Sequence, residues 1–398
     1  MRILFGWTNK KKQPAATKEE RRAARQKLNS QPIAQVTPTP SARKGKTARK
    51  PSFLEKIGLL WAYDIGIDLG TANVLVYIKG KGIVLDEPGY VARDTKTKEV
   101  LAVGEEAKNM NGRTPEGIEV IRPLQEGVIA DYDMTQFMLH YFISSVLPAS
   151  TFIKPRVIIC VPSAITPVER RAVLEASLQA GARKTVLIEE SLAAALGVGL
   201  DKAGANAGAM IVDVGGGTTD IAVLSQTGIV VSESLHVGSD DFDAALAYYI
   251  RRKRKVLLGR NSAEELKIAV GTVDRKSSVR EGTVRGRDLH TGLPKELIVT
   301  STEVQRALEA PVQEIIEGIK GILEKTPPEL LAQIADNGII LTGGGALIDG
   351  LDRLITRMTG IVSYLAENPR YSVVLGTGKA LKEMNALQDT LEELYSVR

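Results

Sequence analysis

Short, almost wholly apolar runs recur along the chain, and each ends on a turn of small polar residues. Ala209-Met-Ile-Val-Asp-Val214 reads as a buried strand. Gly215-Gly-Gly-Thr-Thr-Asp220 follows, then strands over Ile221–Leu224 and Ile229–Ser232. The same succession occurs earlier: a strand over Asp64-Ile-Gly-Ile-Asp-Leu-Gly70, the turn Thr71-Ala-Asn73, a strand over Val74–Ile78, a hairpin at Gly80-Lys-Gly82 and a strand over Ile83–Leu85. Helical spacing of Met134, Phe137, Met138, Tyr141 and Phe142 predicts a helix over 133–147. A strand over Arg156–Val161 leads to a helix capped by Thr166, with Pro167 at its first position, running to Gly181. Val186–Ile188 is a short strand, and a helix starts at Glu189. In the second half, helices are expected at about 241–257 and 262–269, then over Val304–Lys325. A strand over Gly338–Thr342 ends in the loop Gly343-Gly-Gly345, which opens a helix over 347–358. The pattern is an internally duplicated α/β protein: two similar domains, 63–203 (with a C-terminal return) and 204–398, flanking a cleft.

Composition alters little in this picture. At 398 residues, 43% hydrophobic and 25% charged, the chain has room for two domains with cores of their own. One cysteine, Cys160, excludes an internal disulfide framework; inside Arg156–Val161 it reads as a small buried strand residue, not a nucleophile. His140, His236 and His290 lie far apart with no zinc-ligand spacing.

Charge changes more. Residues 1–51 hold fourteen Lys/Arg and two Glu, a net of +12, which leaves −7 for the rest of a chain whose total is +5. That tail is basic, rich in Pro, Ser and Thr, and too poor in apolar residues to offset the entropy of ordering it. Its first seven residues carry five apolar side chains, and 52–62 form an amphipathic segment with Phe53, Leu54, Ile57, Leu60 and Trp61 on one face. Neither reaches membrane-spanning length. Two weak apolar anchors (1–7 and 53–61) beside many cations suit an anionic membrane; a nucleic-acid-binding arm and an inert spacer are the rivals. The run Arg251-Arg-Lys-Arg-Lys255 reads as a solvated helix face rather than a nucleic-acid patch.

Asp68-Leu-Gly-Thr-Ala-Asn73 and Asp213-Val-Gly-Gly-Gly-Thr-Thr219 carry the chemistry. Each reads as a strand–turn–strand phosphate clamp, whose glycines permit φ > 0 and offer a concave row of N–H groups. For one triplet alone, a plain hairpin turn remains the alternative. Two facing aspartates, Asp68 and Asp213, suit a hydrated Mg²⁺.

These motifs resemble the actin, heat-shock ATPase and sugar-kinase superfamily, and within it the MreB family of bacterial actins. The resemblance runs from about residue 53 to the C-terminus. It includes Ile67–Asn73, Gly127-Val-Ile-Ala-Asp131, Val168-Glu-Arg-Arg171, Leu187-Ile-Glu-Glu190 with Ala193–Ala195, Asp213–Thr219, Lys325-Thr-Pro-Pro-Glu-Leu330 and Leu341-Thr-Gly-Gly-Gly345. It implies an actin-like fold and an ATP (or GTP) site with Mg²⁺. Thr71, Ala72 and Asn73 would hold phosphates from one domain, and Gly216, Gly217 and Thr218 from the other. Glu264-Glu265-Leu266-Lys267 would contact the adenosine, and Gly344-Gly345-Ala346-Leu347 would lie over base and ribose. Glu190, with Thr218 beside it, matches the glutamate that orients the attacking water of a slow ATPase; a helix N-terminal carboxylate is the plainer alternative. The implied partners are further copies in a filament, the inner face of the bacterial cytoplasmic membrane, and cell-wall elongation proteins. Phe152 and Ile153 match a short membrane-touching loop, with packing against the core as the equal alternative.

The chain departs from the family pattern in places. Ser191 stands where a proline is usual, Glu265 where an arginine is, Asp220 where a glutamate is, and Gly238-Ser-Asp-Asp replaces a Gly-Gly-Asp opening. Glu265 puts nucleotide affinity or base preference in doubt, whereas Asp220 is expected to be neutral in effect. A chaperone-type ATPase would need a substrate domain, and about fifty residues follow Gly345. A sugar kinase would need an Asp base beyond Asp213, and no such constellation stands out. The expected function is a filament-forming bacterial actin that guides cell-wall synthesis.

Overall fold

A computed structural model describes residues 63–148, 153–200, 208–225 and 228–382. The proposed anchors at 1–7 and 53–61, and Phe152, lie outside these residues. In chain order the first half holds β1 (Asp64–Leu69), β2 (Asn73–Ile78), β3 (Gly82–Pro88), β4 (Val91–Asp94), β5 (Val100–Val103), α1 (Glu105–Met110), β6 (Ile118–Ile121), β7 (Leu124–Gln125), β8 (Val128–Ile129), α2 (Tyr132–Val146), β9 (Arg156–Val161), α3 (Pro167–Gln179), β10 (Lys184–Glu189) and α4 (Glu190–Gly197). The second holds β11 (Ala209–Val214), β12 (Thr219–Ser225), β13 (Gly228–Leu235), α5 (Ser239–Arg254), β14 (Val256–Leu257), α6 (Arg260–Val270), β15 (Glu281–Asp288), β16 (Pro294–Thr300), α7 (Ser301–Lys325), α8 (Pro328–Asn337), β17 (Ile339–Thr342), α9 (Leu351–Thr359), β18 (Ser363–Leu365) and α10 (Ser372–Ala380).

The duplication is explicit in the strand order. One sheet runs β3-β2-β1-β9-β10 and the other β13-β12-β11-β17-β18. In each, an antiparallel meander of three strands is joined through its first strand to two parallel ones. Helices cover both faces, so β11 is buried along its whole length, and its sequence reads as an apolar run interrupted only by Asp213 rather than as an alternation.

Between the sheets, α4 and α10 pack with Ile158, Cys160, Ile211 and Ala222 in one apolar cluster. Their backbones come close: a Cβ at Gly376 would overlap the Ala193 carbonyl, and one at Gly197 the Ser372 carbonyl. Outer cores lie against α2 and α3 on one side and against α5 and α7 on the other. Helix α7 buries Val304, Leu308, Val312, Ile315, Ile319 and Ile322 along one stripe.

Several boundaries differ from the sequence expectation, each for a local reason. Helix α7 starts at Ser301 because Thr300 and Glu303 form a capping box. Helix α5 ends at Arg254, not 257: Lys255 turns left-handed (φ 56°) and Val256–Leu257 pair with Asp288 and Arg287 of β15. Glu189 closes β10, so α4 begins one residue later at Glu190. The small sheets β5-β4-β6 and β14-β15-β16 were not anticipated; their strands are short or largely exposed and carry no continuous apolar run.

Candidate functional site

Asp68 and Asp213 each stand one residue before the end of a central strand, β1 and β11. In the ladders, Asp213 pairs with Asp220 on one side and Thr342 on the other. Glu190 is the first residue of α4, whose N-terminus points the same way. Asp68, Asp213 and Glu190 therefore gather on the cleft floor, with Asp220 buried against Glu190, and burial raises the pKa of each. Asp68 is pushed up to about 7, by burial and then by the Asp86 charge. Asp220 rises to about 6 through burial. Asp213 rises well above the usual carboxylate range through burial, then through Asp68 and Asp220. Glu190, in hydrogen-bonding contact with Asp220, rises well above it too: burial first, then the charges of Asp220, Asp68 and Asp213. No cation of the chain appears among these causes. The same surroundings act on Cys160, where burial and then Asp68, Glu190 and Asp213 raise the thiol pKa, which disfavours a thiolate.

Above the floor the two clamps touch. A Cβ on Gly216 would come within 2.6 Å of the Ala72 Cβ, and one on Gly217 within 3.1 Å of the Thr71 Cγ2. None of Gly215, Gly216 and Gly217 has positive φ, contrary to the conformational reason drawn from sequence. Space, not backbone freedom, is what the triplet supplies. The triplet at 343–345 is different: Gly343 has φ 85°, and a Cβ there would overlap both the Val214 carbonyl and the Asp213 carboxylate.

A third element enters between the clamps. Strands β7 and β8 form a two-residue hairpin whose turn, Glu126-Gly127, has positive φ at both positions (49° and 77°). The Gly127 N–H donates to Thr71 Oγ1 at 3.0 Å, and a Cβ on Gly127 would lie 2.9 Å from Thr218 Cγ2. The motif Gly127–Asp131 thus braces both clamps from the first half.

The cleft encloses about 640 Å³. Thr71, Ala72, Asn73, Gly216 and Thr218 line it, as do Asp68, Asp213 and Glu190. At its far end the wall includes Glu264 and Lys267 from α6, and Gly344, Gly345 and Leu347 from the loop after β17. Gly217, Glu265, Leu266 and Ala346 do not line it. Leu266 and Ala346 are core residues, Glu265 is exposed, and Gly217 is covered by Glu126 and Thr71. Helix period explains the division: 264, 267 and 268 share a face, and 265 and 266 do not. The doubt attached to Glu265 therefore loses its footing, because that side chain is turned away from the cleft.

The same period would have found Ile268, which lines the cleft while staying 73% exposed. Its apolar counterpart Leu347 is 55% exposed. Lys267 is less available than its position suggests, since its Nζ bonds Asp243 and the Ser239 carbonyl, each at 2.9 Å.

Residues 62–389 match the family model for MreB/Mbl protein. The chain is 50% identical to the cell shape-determining protein Mbl of Bacillus cereus, over 82% of this chain and 98% of that one. The chain belongs to the MreB/Mbl family. MreB of Escherichia coli K12 is 47% identical over 83% of this chain and 96% of its own length. MreB5 of Spiroplasma citri, solved bound to ADP, superposes with a TM-score of 0.78 at 35% identity, covering 82% of this chain and 98% of that one. The same protein solved with AMPPNP gives the same score. The fold is thus actin-like.

Two departures from the usual MreB pattern acquire a structural account. Ser191 is fully buried and its hydroxyl meets that of Ser163 at 3.0 Å, so a hydrogen bond stands where the family's proline would be. The Ser163 N–H in turn donates to Asp220 at 3.1 Å. Asp220, expected to be neutral in effect, thereby joins the loop after β9 to β12 and faces Glu190. No helix among the described residues is long and apolar enough to cross a membrane. Ile153 is half-buried.

Proposed function

We propose that this chain is a nucleotide-dependent, filament-forming bacterial actin that determines cell shape, binding ATP with Mg²⁺ in the cleft and working at the inner face of the cytoplasmic membrane. The observation that carries the reading is the pair of facing clamps over an uncompensated carboxylate floor, in a chain about half identical to cell shape-determining proteins. In this reading 63–203 and 204–398 act as the two lobes.

Thr71 and Asn73 bind phosphates from one lobe, and the Gly216 backbone and Thr218 from the other. Glu264, Lys267, Gly344, Gly345 and Leu347 border the base and ribose. Asp68 and Asp213, both lining the cleft, would hold Mg²⁺ largely through the ion's own waters. When bound, Mg²⁺ supplies neutralisation of phosphate charge. Glu190 orients the water for in-line attack on the γ-phosphate, with Asp220 and Thr218 fixing its position. Adenine and guanine both remain compatible with this wall.

Self-association follows from family membership, and membrane attachment from the tail, where each Lys or Arg near an anionic leaflet contributes on the order of 1 kcal/mol before screening. Pelleting with ATP at micromolar protein tests the filament reading; a protein that stays monomeric in every nucleotide state defeats it. Flotation on anionic and neutral liposomes, with and without residues 1–61, tests the tail. Loss of binding to anionic liposomes on truncation is expected, and no loss ends the idea.

A further inference from the structure

Ion pairs join the two walls of the cleft, and of their members only Glu264 belongs to the residues that the sequence assigned to the nucleotide. Lys108 on α1 places its Nζ 3.0 Å from Glu264 on α6, with both side chains only about a third exposed or less (27% and 35%). Arg122, directly after β6, donates from Nη1 to Asp240 on α5 at 2.6 Å, and Asp240 also meets Arg260 of α6 at 3.0 Å. Arg122 is 9% exposed, and its guanidinium lies 5.2 Å from the centre of the Tyr90 ring. Its Nε is buried without a hydrogen-bond partner among the described residues.

The first members of both pairs come from the layer formed by β4, β5, β6 and α1. The second come from the N-terminal halves of the two helices, α5 and α6, that wall the far end of the cleft. Opening the cleft would leave Arg122, a nearly buried cation, without its carboxylate, and such separation is costly. Lys108 also restricts Glu264, the carboxylate placed at the base and ribose end, so that a nucleotide meets it already oriented.

We propose that Lys108 and Arg122 are positioning residues of the nucleotide site: acting through Glu264 and Asp240 on the opposite wall, they hold the cleft shut and set how long a nucleotide stays. This rests on the reading that nucleotide occupies the cleft. The two pairs work in parallel, one at the ribose end and one behind the first turn of α5. The Lys108–Glu264 pair is partly exposed and outside the core of either half, so its loss acts on opening rather than on folding.

The test is release of a fluorescent ATP analogue, preloaded with Mg²⁺ on the full-length protein and chased with unlabelled ATP. Lys108→Met and Asp240→Asn are compared with the native chain at low and high salt. Each substitution should speed release about ten-fold, the scale of a close charge pair across an interface. Added salt should speed native release and have less effect on the variants, with the melting temperature of nucleotide-free Lys108→Met unchanged; Asp240→Asn, which leaves the nearly buried Arg122 unpaired, is read by its salt dependence. Native binding with both variants within about two-fold of native release overturns the proposal alone. Faster release that tracks a loss of nucleotide-free stability, with unaltered salt dependence, overturns it as well, because it marks general loosening. Failure of the native protein to bind any nucleotide removes the functional reading, and the proposal with it.

Discussion

Two carboxylate clusters adjoin the loop after β17, the rim one including that loop's own Asp349, and they are built on opposite principles. At the rim, Asp274 is 5% exposed, but Arg353 donates to it at 2.7 Å and Arg357 lies 3.7 Å away. Asp349 accepts from Arg353 at 2.9 Å and from Ser277 at 2.7 Å. The Arg353 hydrogen bond and a backbone N–H hold the Asp274 pKa below the usual carboxylate value. On the floor, Asp213 and Asp220 are as deeply placed and Asp68 and Glu190 are half-buried, and what raises their pKa values is burial, one another and Asp86. A paired carboxylate ties α9 to the loop after α6 and belongs to the scaffold. An unpaired group of four costs the empty protein stability and finds its counter-charge only in a ligand. Exposure does not separate the two clusters; cation count does.

Substitutions at the two clusters should therefore move stability in opposite directions. The largest change is expected at the rim, where Arg353→Met leaves the buried Asp274 only the more distant Arg357 and a backbone N–H. A loss of about 2–3 kcal/mol in urea-induced unfolding is predicted, with nucleotide affinity little altered. Gly216→Ala comes next: its Cβ would lie 2.6 Å from that of Ala72, so the clamps must separate. A cost of about 1–2 kcal/mol and loss of nucleotide binding, read by calorimetry, are expected.

The floor reverses the sign. Asp68→Asn should raise the stability of nucleotide-free protein at pH 8 by on the order of 1 kcal/mol while abolishing Mg²⁺-dependent binding. If it destabilises the empty protein as Arg353→Met does, the contrast fails.

The smallest effect is the pH slope. The folded pKa of Asp68, about 7, lies above its ordinary 3.8, so the folded state holds a proton that the unfolded state releases. The contribution of Asp68 is then full below pH 3.8 and declines as pH rises toward about 7. Asp274 runs the other way, its contribution being lost as pH falls through its lowered pKa. Thermal melts from pH 5 to 8 in EDTA should show a decline that Asp68→Asn flattens.

Much of the fold was legible because its signals are local. The meanders β1–β3 and β11–β13, the Thr166–Pro167 helix start and the repeated Asp-ended strand follow from runs, caps and turns. The parallel partners β9, β10, β17 and β18 complete a symmetry that periodicity had suggested. What escaped depends on distant contact. Val256 and Leu257 continue a helical pattern and become a strand only because β15 lies alongside. Gly127–Asp131 was visible as a motif, but the hairpin at Glu126-Gly127 and its bracing of Thr71 and Thr218 required the chain fifty residues before it and ninety after. The candidate site shows the same division. Clamp residues were read directly, whereas Lys108, Arg122 and Asp240 are single charges with meaning only across the cleft. Leu266 shows the limit of reading a consecutive segment as a site: a helix turns two of every four residues away.

The most direct test of the central claim is thermal unfolding of the native chain with saturating ATP, with and without Mg²⁺. If the floor carboxylates await a cation-bound nucleotide, ATP with Mg²⁺ at about a hundred times its Kd should raise Tm by roughly 3–5 °C. ATP with EDTA should raise it far less. An equal shift with and without Mg²⁺, or none in either condition, would contradict the account.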